Sequence, residues 1–177
     1  MKKTIFAATA LVLAASVAVA SDNTSLTSSE VTAFKTAWGE GIVEIGAVHT
    51  AGGDYTAAAR EHIETFYAYE SDATVLFKPT LASEDQFRGT FEEALSYFVG
   101  GSIAEDGGFA IAPYTNVRWE NEGTIISGDV ALAMGNYYFT KLDGSEVKVE
   151  YTFGVERQDD ESLKFILHHS SLPFSAG

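Results

Sequence analysis

Glu146-Val147-Lys148-Val149-Glu150-Tyr151-Thr152-Phe153-Gly154-Val155-Glu156 alternates polar and apolar side chains over most of its length. That is the period of a strand with one face on a core and one in water. Outward from this run, the same period recurs near 109–119, 123–127, 129–140 and 162–171. Between the runs stand Asn121-Glu122-Gly123, Ser127-Gly128-Asp129, Asp143-Gly144-Ser145 and Gln158-Asp159-Asp160-Glu161, all turn-forming in composition. The spacing predicts successive antiparallel strands from Phe109 onward.

Upstream the period is helical. Val31, Phe34, Trp38, Ile42, Ile45 and Val48 predict a first amphipathic helix, with Ser28 or Ser29 placed to cap it. Its interior glycines, Gly39, Gly41 and Gly46, each cost about 1 kcal/mol against alanine, which predicts close packing on another backbone. Asp54, after Gly52-Gly53, caps a second helix through Ile63, Phe66 and Tyr67. Thr74 to Phe77 reads as a short strand ended by Pro79. Thr90-Phe91-Glu92-Glu93 has the capping-box pattern of a third helix, ended by Gly100-Gly101. Helices first and a meander afterwards predict an α+β domain, with helices packed on one face of a strongly curved antiparallel sheet. This order of elements resembles the cone-shaped nuclear transport factor 2-like fold, in which a bent sheet and helices enclose a pocket.

Met1-Lys2-Lys3-Thr4 followed by the apolar stretch Ile5–Ala20 and the small-x-small end Ala18-Val19-Ala20 reads as a cleaved secretory signal peptide over 1–20. Residues 21–29 read as a flexible N-terminus and 30–177 as a single domain. The expected destination is outside the cytoplasm, periplasm or medium, with no membrane attachment after cleavage. The chain carries a net charge of −14, more negative once Lys2 and Lys3 leave, which argues against nucleic acid and anionic membranes as partners. It has no cysteine among 177 residues, so disulfides, thiolate zinc sites and thiol nucleophiles are excluded.

Phosphate-binding loops, dinucleotide-binding glycine fingerprints, Gly-x-Ser-x-Gly elbows and His-Glu-x-x-His are all missing from the sequence. His49 and His62 stand singly on helices and read as surface or satisfied core residues. The informative cluster is His168-His169-Ser170-Ser171, at the end of an apolar strand and just before Leu172-Pro173. Strict alternation groups Phe165, Leu167, His169 and Ser171 on one face, and Lys164, Ile166, His168 and Ser170 on the other. Adjacent histidines on opposite faces do not chelate one ion. Thr80 follows the short strand, and Tyr97 lies beside the apolar face of the third helix. Glu150 is the one strand carboxylate suited to an isomerase-type base.

Jointly, Val75–Thr80, Gln86-Phe87-Arg88, Ala94–Gly101, Val117–Asn121, Ala131–Tyr137, Val147–Phe153 and His168–Pro173 resemble the iota-class carbonic anhydrases, with similarity from about Asp54 onward. The resemblance implies a homodimeric cone fold that interconverts carbon dioxide and bicarbonate, bacterial-type members working without a bound metal. Some algal relatives are regarded as manganese- or zinc-dependent, which leaves those ions open as cofactors. Leu167 stands where some relatives carry a third histidine. By matching motifs, Thr80, Tyr97 and a serine of the Ser170-Ser171 pair hold the substrate. Alternation favours Ser171, in a pocket walled by Phe165 and Leu167, with His169 as a proton relay and Tyr97 positioning or deprotonating water. The alternative from another class is a non-catalytic periplasmic cone-fold dimer that binds a small ligand.

Overall fold

The computed structural model describes residues 25–69 and 75–176. The expected signal peptide over 1–20, residues 21–24 and Thr74 lie outside the described residues. Helix α1 (Ser28–Thr50) starts on a capping box, but the cap is Thr27 rather than Ser28 or Ser29: its hydroxyl accepts from Glu30 N–H while the Glu30 carboxylate returns to Thr27 N–H. Leu26 is buried and its N–H donates to Gly128 O at 2.9 Å, so the chain is tied down two residues before the helix begins. Helix α2 (Tyr55–Phe66) is capped by Asp54, and α3 (Phe91–Val99) by Thr90 in a second capping box closed by Glu93. Gly100, at φ 80°, ends α3 in a conformation that a side chain resists.

Five strands follow the order β1-β5-β4-β3-β2, with β1 (Leu76–Lys78), β2 (Asn116–Ser127), β3 (Val130–Thr140), β4 (Glu146–Arg157) and β5 (Leu163–Ser171). The meander is antiparallel as expected, while β1 joins β5 in parallel through three residues. Two local departures from the sequence pattern matter. Phe109–Ile111, which alternation assigns to a strand, is a single 3-10 turn. Asn121-Glu122-Gly123, which reads as a turn, is instead a β-bulge inside one continuous strand: Asn121 pairs with Gly135 and Gly123 with Met134, leaving Glu122 unmatched.

The helices cover one face of the sheet. Trp38, Ile42 and Ile45 of α1, Ile63 of α2 and Phe98 of α3 pack with Tyr67, Phe153 and Phe165 into one core. The α1 glycines make this approach possible by different means. A Cβ on Gly46 would lie 2.5 Å from Ala112 O, the expected backbone contact, whereas one on Gly41 would meet the His62 ring at 2.2 Å and one on Gly39 the Val117 side chain. His62 itself is fully enclosed, and its Nε2 has no partner among the described residues. Its burial lowers its pKa to about 3.

Candidate active site

Between the helices and the concave side of the sheet lies a cavity of about 60 Å³. A single buried water needs on the order of 15 Å³ by the same measure, so the space suits a molecule of three or four heavy atoms. Its walls are mostly aromatic and aliphatic, Phe77, Phe109, Phe139 and Val149 among them, and Leu81 and Leu172, both more than half exposed, form its rim. Among the described residues, no carboxylate lines it.

The polar groups gather at one end. Thr80 is delivered by the turn just after β1, Ser170 by the end of β5, Tyr97 by α3 and Tyr137 by β3. Parallel pairing of β1 with β5 brings the first two together: Thr80 Oγ1 donates to Ser170 Oγ at 2.8 Å. Tyr97 Oη accepts the Leu81 N–H at 3.4 Å, which leaves the phenol proton free. Burial pushes the Tyr97 pKa up to about 12. The phenol is therefore a donor at neutral pH and not the base that deprotonates water. Tyr137 is raised still further by burial, an effect the Ser170 and Thr80 hydroxyls partly offset. In the sequence Tyr137 is one of eight tyrosines, and only its place in the alternation of β3, inward and buried, sets it apart.

Alternation places the wrong serine and the wrong histidine inward. Along β5, Leu167 pairs with Gly154 and Phe165 with Val155, so Ile166 is an extra residue that bulges out of the ladder. A bulge of one residue inverts the parity beyond it. Phe165, His168 and Ser170 consequently share the concave face, while His169 and Ser171 face outward. Ser171 Oγ donates to Glu150 Oε2 at 3.0 Å on the convex side, in a shallow hollow that also contains His169. Glu150 is thereby removed from the cavity as well. Neither Phe165 nor Leu167 lines the cavity: Phe165 is wholly buried in the core, and Leu167 borders an external groove with Leu76 and Phe87.

His168 is held among aromatic rings, its plane near-parallel to Phe165 (centroids 4.5 Å apart) and to Phe77 (5.6 Å). Its Nδ1 meets Tyr67 Oη at 2.9 Å, and Tyr67 Oη in turn accepts from Trp38 Nε1 at 3.3 Å. Burial lowers its pKa to about 3, with the charge of neighbouring His169 adding to the effect. The ring is neutral in the physiological range. One imidazole among hydroxyls does not make a manganese or zinc site, and no group of three or more His, Asp or Glu side chains among the described residues is placed to hold a metal ion.

Comparison with known proteins bears directly on this arrangement. Residues 29–172 match a family model described as metal-independent carbonic anhydrase. A metal-independent carbonic anhydrase from Nostoc sp. is 41% identical over 157 residues, covering 86% of this chain and 76% of that protein. The crystal structure of a cyanobacterial iota-carbonic anhydrase complexed with bicarbonate superposes with a TM-score of 0.83 at 38% identity, over 86% of this chain and 95% of that one. At the level of fold alone, a nuclear transport factor 2-like protein from Streptomyces avermitilis aligns with a TM-score of 0.52 at 16% identity, over 83% of this chain and 96% of that one. With its conical α+β fold and its cavity of hydroxyls in aromatic walls, the chain belongs to the metal-independent, iota-class carbonic anhydrase family.

Proposed function

We propose that this protein interconverts carbon dioxide and bicarbonate, without a bound metal, in the cavity beneath Leu81 and Leu172. The observation that carries the reading is the Thr80–Ser170 hydroxyl pair, 2.8 Å apart beside the Tyr97 phenol, at the end of an otherwise apolar cavity. Carbon dioxide has no net dipole and suits the aromatic walls. Hydration turns it into an anion with two charge-bearing oxygens and one O–H. Thr80 has given its proton to Ser170, so the Ser170 and Tyr97 O–H groups serve as donors for the two oxygens, the Tyr137 phenol standing against the Ser170 and Thr80 hydroxyls, and a Thr80 lone pair accepts the bicarbonate O–H. Donors fixed in a dry site stabilise the charge that develops as water attacks carbon. The oxygen of water bonds to carbon, one C=O π pair moves onto oxygen, and one proton leaves to water or buffer.

The decisive experiment is stopped-flow hydration of carbon dioxide by purified mature protein treated with a strong chelator, beside Tyr97→Phe and Ser170→Ala. Losing a single donor to a developing oxyanion costs roughly 10- to 100-fold in kcat. Activity that survives chelation and falls by that factor in both variants supports the reading. Full activity in both variants removes the hydroxyls from the scheme. A wild-type protein inactive with and without manganese or zinc is instead a ligand-binding module.

A homodimer is supported by the family resemblance and by Leu132 and Met134, exposed apolar residues on the convex face; light scattering on the purified protein gives its mass directly. Export is supported by the Met1–Ala20 leader. The mature N-terminus should begin at Ser21, and mass spectrometry of the processed protein from the periplasm or medium reads it.

A further inference from the structure

The hydroxyl scheme makes no use of the imidazole in the same cavity wall. His168 Nε2 has no hydrogen-bond partner among the described residues, although the ring lines the cavity two residues before Ser170 on the same strand face. Leaving a buried polar nitrogen unpaired is costly, and such groups mark places where a ligand or water belongs.

The hydrogen-bond chain behind the ring decides which kind of partner that is. Indole Nε1 can only donate, so at the Trp38–Tyr67 contact of 3.3 Å the phenol oxygen accepts. The Tyr67 proton is then left to point at His168 Nδ1, 2.9 Å away. Burial raises the Tyr67 pKa well above its ordinary value, so the phenol keeps that proton. A neutral imidazole that accepts at Nδ1 carries its own proton on Nε2. Phe165 and Phe77 lie against the ring's faces, so it is the ring's edge that remains for the cavity.

We propose that Trp38 and Tyr67 are positioning residues that lock His168 as the neutral Nε2–H tautomer, making Nε2 a third donor, beside Ser170 and Tyr97, for an oxygen of the bound bicarbonate. The inference rests on the carbonic anhydrase reading for the identity of the anion. The tautomer itself does not depend on that reading. The arrangement supplies an N–H aimed at a developing negative charge without placing a cation in the cavity. A charged imidazolium would hold the product anion more firmly and slow its release.

The test is nitrogen NMR on protein labelled with ¹⁵N-histidine, in which the two ring nitrogens report separately whether each bears a proton. Four histidines are present, and the signals of His168 are identified by their loss in His168→Gln. In the wild type, Nδ1 should be unprotonated and Nε2 protonated, and titration with bicarbonate should move the Nε2 signal saturably. Tyr67→Phe, nearly isosteric, should release the lock, giving a mixture of tautomers or Nδ1–H together with a fall of roughly 10-fold in kcat/KM. Trp38→Phe, which removes the indole N–H but leaves the phenol, provides an independent second perturbation with a smaller effect in the same direction. Nδ1 protonated in the wild type overturns the proposal, as does an Nε2 signal indifferent to saturating bicarbonate. A Tyr67→Phe variant unchanged in both tautomer and rate does so too. If the wild type shows the Nε2–H tautomer and a bicarbonate response but does not hydrate carbon dioxide, the catalytic reading fails while the donor assignment stands.

Discussion

Ser170 and Ser171 are neighbours with the same side chain, yet one hydroxyl is 2.8 Å from Thr80 in the cavity and the other 3.0 Å from Glu150 on the outside. Their substitutions should therefore separate cleanly. Ser170→Ala is expected to lower kcat/KM for hydration by roughly 10- to 100-fold, whereas Ser171→Ala stays within about twofold, both read by stopped flow at the same folded fraction. The pH profile is a second residue-scale prediction. His168 is lowered to about 3 and Tyr97 raised to about 12, so these groups keep one charge state between about pH 5 and 9. Initial hydration rates across that range should show no inflection near 6.5 of the kind an ordinary histidine relay would produce.

At the scale of elements, the segment that carries Thr80 into place is anchored from below. Arg88 N–H donates to Phe77 O at 2.8 Å, and the Arg88 guanidinium, fully buried, pairs with Asp106 at 2.6 Å and donates to the Asp85 carbonyl. Removing Asp106 leaves the buried guanidinium to a longer contact with the exposed Asp85 carboxylate, 3.7 Å away, so Asp106→Ala is expected to cost about 3 kcal/mol, read as a lower urea midpoint. Much of this level was legible in the sequence. The helices announce themselves by period and by capping residues, and the strands by alternation, because those signals are local. What alternation misses are two inserted residues, Glu122 and Ile166, whose bulges depend on the partner strand. Gly135 accommodates the first: a Cβ there would sit 2.2 Å from Glu120 O. The second determines the site. Counting by twos from Phe165 leads to Ser171, and only the pairing of Leu167 with Gly154 shows that the count must skip one. The motif named the right segment, and the register of β4 on β5 selected the serine.

For the molecule as a whole, two enclosed neutral histidines make stability depend on pH in a defined window. His62 and His168 are both lowered to about 3 in the folded protein, while the unfolded chain binds protons near 6.5. Between those values the unfolded state holds more protons, so stability is complete above about pH 6.5 and declines as pH falls toward 3. The carboxylates of Glu30 and Glu105, lowered to about 2 by hydrogen bonds to their neighbours, add their loss only once pH drops below their ordinary value of 4.5. Urea unfolding near pH 5 should accordingly take up close to two protons, and His62→Phe should remove about one of them if the variant folds.

The three-residue ladder between β1 and β5 has a consequence for how the enzyme fails on warming. Thr80 and Ser170 belong to opposite sides of that ladder, Leu76 to Lys78 against Leu167 to His169, whereas β3 and β4 are joined along eleven successive pairs. A short edge ladder opens more readily than the body of a sheet. Fraying of β1 parts the two hydroxyls while the rest of the cone stays intact, so thermal inactivation should set in several degrees below the melting transition seen by circular dichroism and reverse on cooling. A crosslink holding β1 to β5 would then extend the working temperature without raising the melting temperature of the fold by a comparable amount.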